Sequence, residues 1–423
     1  MNTPRLSEGM MARYEIENRR PARVNLVQFG LGEALLGAVD RLIDDAAPAW
    51  GIACVAGGPG AAQLRGQDGL YTLIVRGYEG EEPVNREQVV QRILRVVDPS
   101  EMAALAADPG LELMLVDDAP QARSDAERFC ELRAAAGLPG LPRLRLGENL
   151  LADSLALRAE ADEAAKLCRD MNYLDGMLHL AEPFCRATHC APCDVPGLIR
   201  VSEEAFCRET ALTRQVFEAG LVLCCAPGWL NGCDTLSDVM KQPRLRRFVG
   251  EAFTRELLPL LQDLPAEAVR ARVIESFARY ENPLNRNRLL RTARRPLQWF
   301  IDWGVPLMRR HAEAHFEPPR RLAFALAATV MLLAGARQDP DSDRYLVARG
   351  KLAEPVDEDP ARLSLFATLS HDMPPEALAY AVLADRELWQ GADLRQIDGL
   401  EARLTLDLSA MQRDPAYLPE GAD

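Results

Sequence analysis

Residues 24–28, Val-Asn-Leu-Val-Gln, form a short β-branched run that leads into Phe29-Gly30-Leu31-Gly32 and then into a helical apolar pattern over 34–43. Strand, Gly-x-Gly and helix in that order form the opening unit of a dinucleotide-binding fold. The first glycine permits a tight turn, and the second lets the backbone come close to a diphosphate at the helix N-terminus. Gly37 falls late of the third glycine in the usual spacing. The same strand–glycine–helix unit also closes α/β layers that bind nothing, so Gly30 and Gly32 mark only a weak cofactor site.

Further strand patterns follow at 51–57, 70–76 and 111–116, with helices expected at 85–97 and 99–107. Alternating β and α elements favour a parallel sheet with helices on its faces. The segment Gly137-Leu-Pro-Gly-Leu-Pro142 is a clear break. From about residue 202 the chain reads as successive helices, expected at 214–223, 245–261, 266–280, 286–301, 320–333 and 374–384. The expected architecture is therefore a shortened Rossmann-like α/β domain over 1–200 and an all-α domain over 201–423.

Composition narrows the function classes. A net charge of −14 disfavours nucleic acid and anionic membranes as bulk partners. The N-terminal 23 residues are polar and of mixed charge, without the apolar core of a signal peptide, and the apolar run over 322–334 is too short to span a bilayer. A cytoplasmic protein is expected. In such a compartment the ten cysteines are expected to be reduced thiols. Cys185, His189, Cys190 and Cys193 form the one tight group of zinc-type ligands, but no second Cys-x-x-Cys pair accompanies them, so the expectation is no metal.

Several longer blocks resemble the mannitol dehydrogenase family, and within it the tagaturonate reductase (altronate oxidoreductase) branch. They are VNLVQFGLGEALLGAVDRLID from 24, GQDGLYTLIVRG from 66, GENLLADSL from 147, MNYLDGMLHLAEPF from 171, GCDTLSDVMKQPRLRRFV from 232, ENPLNRNRLLR from 281 and PPRRLAFALAA from 318. The resemblance implies a two-domain dehydrogenase fold, NAD or NADP as hydride carrier, and a lysine base with an asparagine five residues on and a histidine three beyond it, on one helix face. Base and oxyanion donors are what hydride transfer asks of the protein.

Counted back from Gly232, those positions hold Thr213, Glu218 and Leu221. The chain has only three lysines, Lys166, Lys241 and Lys351, and none has asparagine and histidine at the required offsets. Other family positions have changed as well. A serine–asparagine turn reads Asp117-Asp118, an arginine is Ser154, a histidine is Asn287, a lysine is Trp299 and another histidine is Cys185. Asn149 and Asp153 remain in place, though both residue types are also common caps.

The reading is thus a family member that has lost catalysis, binding a small molecule or a protein partner, with NAD, NADP or no cofactor. The competing reading is a working NAD(P)-dependent oxidoreductase of a hexuronate or polyol with Glu218 as base. A third is a zinc-binding protein.

Overall fold

The computed structural model describes residues 3–47, 49–79, 82–284, 288–293, 295–340 and 344–419. The chain forms two compact units, Met1–Cys207 and Arg208–Asp423.

The first unit is built on a five-stranded sheet of β1 (Val24–Phe29), β2 (Gly51–Val55), β5 (Ile93–Val97), β6 (Leu113–Val116) and β7 (Arg143–Arg145), in the order β5-β2-β1-β6-β7. Every neighbouring pair is parallel. Apolar side chains alternate to both faces, as expected of a sheet covered on both sides. Leu26, Ile52, Cys54, Leu113 and Leu115 pack with Leu35, Leu36, Val39 and Ile43. Val27, Phe29, Ala53, Val55, Met114 and Val116 pack with Met102, Leu105 and Phe129. The strand order reverses between β1 and β6. In open sheets of this kind the crevice at that reversal, outside the carboxyl ends of the strands, is where ligands bind.

The helix after β1 contains a wide π-type turn at Leu35–Val39 before it continues as Asp40–Ala46. A π-turn inserts one residue into the helix, and Gly37 sits inside it. A Cβ on Gly37 would lie 2.1 Å from the Cβ of Ala156. This glycine therefore performs the close helix–strand packing of a fingerprint glycine despite its late position.

Residues 85–97 are not helical. They form most of β4 (Glu82–Val90), antiparallel to β3 (Tyr71–Glu79), and then β5. Val84, Val89, Val90, Ile93, Val96 and Val97 favour a pleated surface. Between the two strands Arg92 is fully buried against Asp44 at 2.9 Å, an anchor that a surface helix would not provide. Two further small sheets complete this unit. One adds β10 (His179–Ala181) and β9 (Ala156–Arg158) to the β3–β4 hairpin, and the other is β12 (Ile199–Arg200), β11 (Arg186–His189) and β8 (Leu150–Asp153).

The second unit is helical around Arg320–Leu333, which is buried along nearly its whole length. Glu256 accepts the backbone amides of Arg321 and Leu322 at the start of this helix and pairs with the Arg321 guanidinium at 3.2 Å. The unit also carries a small antiparallel sheet of β13 (Arg337–Gln338), β14 (Tyr345–Arg349) and β15 (Leu352–Val356), an addition to the all-helical expectation. No helix among the described residues is long and apolar enough to cross a membrane.

Candidate functional site: a glycine turn and an altered helix

The glycine turn lies where the sequence places it. Gly30 has φ +96°, a left-handed conformation that glycine adopts without steric cost, and its amide is held by the Val55 carbonyl. Phe29 pairs with Val116 across the parallel ladder, so the residues after each strand, Gly30 and Asp117, come side by side at the strand-order reversal. The Asp117 carboxylate accepts the Gly32 amide at 2.6 Å and the Asp118 amide at 2.8 Å. Any Cβ on Gly32 would fall 2.2 Å from an Asp117 oxygen. The glycine thus makes room for this carboxylate.

Burial raises the pKa of Asp117 to about 7, with the adjacent Asp118 adding to the effect. Beneath it Asp40 is completely enclosed; burial lifts its pKa to about 8 against the opposing hydrogen bonds of Gln28 and Tyr71. At the end of β2, where an acid would take a ribose hydroxyl, the chain reads Ala56-Gly57-Gly58-Pro59. A diphosphate needs the Gly32 amide free and no like charge beside it. With Asp117 seated, these residues do not fit the diphosphate of a nicotinamide dinucleotide.

In the second unit, Thr213–Glu218 forms another π-type turn leading into the helix Ala219–Leu230. The i→i+5 bonding of a π-turn brings residues five apart towards one side of the helix, and five is the spacing of Thr213 and Glu218. Thr213 is buried and its hydroxyl finds no hydrogen-bond partner among the described residues. Leu221 is buried. Glu218 is partly exposed and paired with Arg214.

Aromatic packing closes around this turn. Trp299 is buried and its indole N–H donates to the Arg214 carbonyl at 2.7 Å. Tyr280 stacks on Phe217 and donates its hydroxyl to the Phe217 carbonyl, while the Arg279 guanidinium lies 3.7 Å from the same ring centroid. A Cβ on Gly220 would meet the Tyr280 oxygen at 2.3 Å. In the sequence Trp299 stands out only as the occupant of a family lysine position, and no local spacing signals its bond to the turn.

The remaining sequence candidates have structural placements. Asn149 donates to the Arg143 carbonyl and accepts the Arg145 amide, bracing the end of β7 rather than capping a helix. Asp153 is buried on β8 and paired with Arg186 at 3.4 Å. Asn287 lies outside the described residues. Cys185 contacts the Ala38 carbonyl, and His189 is buried with neither ring nitrogen partnered among the described residues. Cys190 and Cys193 come after His189 in the loop, and burial raises both thiol pKa values. Among the described residues no three His, Cys, Asp or Glu side chains converge to hold a metal ion. Arg288, Arg310 and Arg321, from the arginine-rich residues 286–321, are each paired with carboxylates.

A parallel sheet with a glycine turn at its strand-order reversal, followed by a helical unit, defines the class as a two-unit dehydrogenase fold. Residues 222–412 match the mannitol dehydrogenase C-terminal domain, and the chain as a whole resembles the mannitol dehydrogenase family. It is 25% identical to an altronate oxidoreductase of Pectobacterium atrosepticum, over 82% of this chain and 84% of that one. It is 24% identical to an altronate oxidoreductase of Yersinia enterocolitica, over 82% and 85%. Among solved structures, Pseudomonas fluorescens mannitol 2-dehydrogenase, in a ternary complex with NAD and D-mannitol, superposes with a TM-score of 0.76 over 97% of both chains at 14% identity. D-sorbitol dehydrogenase gives 0.64 over 97% of this chain and 99% of that one at 15%.

Proposed function

We propose that this chain is a catalytically silent relative of the altronate and mannitol dehydrogenases, acting in the cytoplasm as a binding or regulatory protein for a small molecule or a protein partner. One observation carries the reading: the helical segment where the family resemblance implies a lysine–asparagine–histidine site holds threonine, glutamate and leucine at those positions. Thr213 and Leu221 are buried, and Glu218 is paired with Arg214. Threonine cannot take a hydroxyl proton near neutral pH, and leucine cannot stabilise an oxyanion. NAD or NADP binding, where it occurs, is weakened by Asp117 and is not coupled to hydride transfer.

The test is turnover. Purified protein is incubated with NADH or NADPH and tagaturonate, fructuronate or fructose, and with NAD or NADP and altronate or mannitol. The expected result is no rate above that of a Glu218→Gln variant. A rate that this substitution removes would establish the opposite reading, an oxidoreductase with Glu218 as its base.

A further inference from the structure

The first unit contains an acidic side chain seated where an anionic ligand would go. The Gly32 amide is the donor that a Gly-x-Gly turn normally presents to a diphosphate. Here it is bonded to the Asp117 carboxylate at 2.6 Å, and Asp117 is held in turn by its own backbone bond to Phe29 and by the Asp118 amide. The contact arises from the fold: the Phe29–Val116 register sets Asp117 beside Gly30, and both glycines lack the Cβ that would collide with it. Asp117 is 5% exposed, so the carboxylate does not swing freely into solvent.

We propose that Asp117 is an internal stand-in for the cofactor diphosphate, a seated carboxylate that occupies the Gly32 amide and keeps nucleoside diphosphates out of the turn. The inference rests on the reading above and adds that the glycine turn of the first unit is closed by a residue of its own, independently of the substitutions in the second unit. It predicts that cofactor affinity is recoverable by one substitution while chemistry is not. Asp118 is exposed, and its recorded bonds at the turn go to Asp117 rather than to the glycines.

The test is calorimetric titration of the full chain with ADP-ribose at pH 8 and low salt, a probe that carries the diphosphate and no nicotinamide. Wild type is compared with Asp117→Ser, Asp117→Asn and Asp118→Asn. The two Asp117 variants are expected to bind at least tenfold more tightly than wild type, and Asp118→Asn to change affinity by less than threefold. Asp117→Asn keeps the side-chain volume but leaves only a neutral amide oxygen on Gly32, which a diphosphate displaces more readily than a carboxylate, so it carries the test if Asp117→Ser folds poorly. Equal affinity in wild type and both Asp117 variants, or no binding by any of them, overturns the inference. So does an Asp118→Asn gain matching that of Asp117→Asn, because the effect would then be bulk charge rather than an occupied amide. Sugar-acid turnover in wild type that improves in Asp117→Asn would overturn the silent-relative reading and leave this inference standing.

Discussion

The Trp299 indole donates to the Arg214 carbonyl at 2.7 Å, tying a buried aromatic directly to the helical turn where the family resemblance implies a catalytic lysine. Removing the side chain should be costly for packing as well as for the bond. Trp299→Ala is expected to destabilise by about 3–5 kcal/mol. Trp299→Phe, which keeps most of the volume but leaves the carbonyl unpaired, should cost roughly 1–3 kcal/mol. Urea unfolding followed by fluorescence from the other tryptophans checks both. Equal stability of all three proteins would show that the turn does not depend on this residue.

Gly37 and Ala156 provide a paired test of the π-turn. Gly37→Ala places two methyl groups about 2.1 Å apart and should destabilise by roughly 1–3 kcal/mol. Adding Ala156→Gly removes the collision, so the double variant should recover much of the loss. A double-mutant cycle with no coupling would contradict the packing role assigned to Gly37.

Buried carboxylates make stability depend on pH with a definite sign. Asp40 and Asp117 have folded-state pKa values raised to about 8 and about 7, above the range of an exposed carboxylate. Each favours the folded state fully below about pH 4, and that contribution is lost as pH rises through the folded value. Between pH 6 and pH 9 the melting temperature should therefore fall by on the order of 10 °C. Asp40→Asn, which is isosteric with the neutral acid, should flatten most of that decline. A melting temperature that rises across this window would contradict the assignment.

Glu256 meets the first amides of the buried helix Arg320–Leu333 and the Arg321 guanidinium. Glu256→Ala leaves a buried arginine and two amides without this acceptor and is expected to cost about 3–5 kcal/mol. Removing an exposed pair such as Arg270–Glu267 should cost under about 1 kcal/mol. Thermal melts of the two variants give the comparison.

How far the sequence reveals this molecule depends on how local each feature is. The first strand, its glycine turn and the following helix are visible because their signals lie within twenty residues. Residues 85–97 mislead because a run such as Val89, Val90, Ile93, Leu94, Val96 and Val97 satisfies both helical and strand spacing. Pairing with β3, and the Arg92–Asp44 contact 48 residues apart in sequence, decide between them. The small sheet at 337–356 escapes notice for the same reason, its strands being short and defined by each other. The sequence also shows acids near the glycine turn. That one of them bonds the Gly32 amide emerges only from the strand register. In the second unit the substitutions are readable one by one, but the π-turn that carries Thr213 and Glu218 is not, because one residue inserted into a helix leaves no distinct spacing in the sequence.

The most direct measurement of the central claim is hydride transfer in the Asp117→Ser protein, where the cofactor turn has been opened, at saturating NADH or NADPH with tagaturonate or fructuronate. The account predicts tighter cofactor binding than in wild type and a rate indistinguishable from the protein-free blank. A steady rate that scales with protein concentration would contradict it, and would make Glu218 the candidate base.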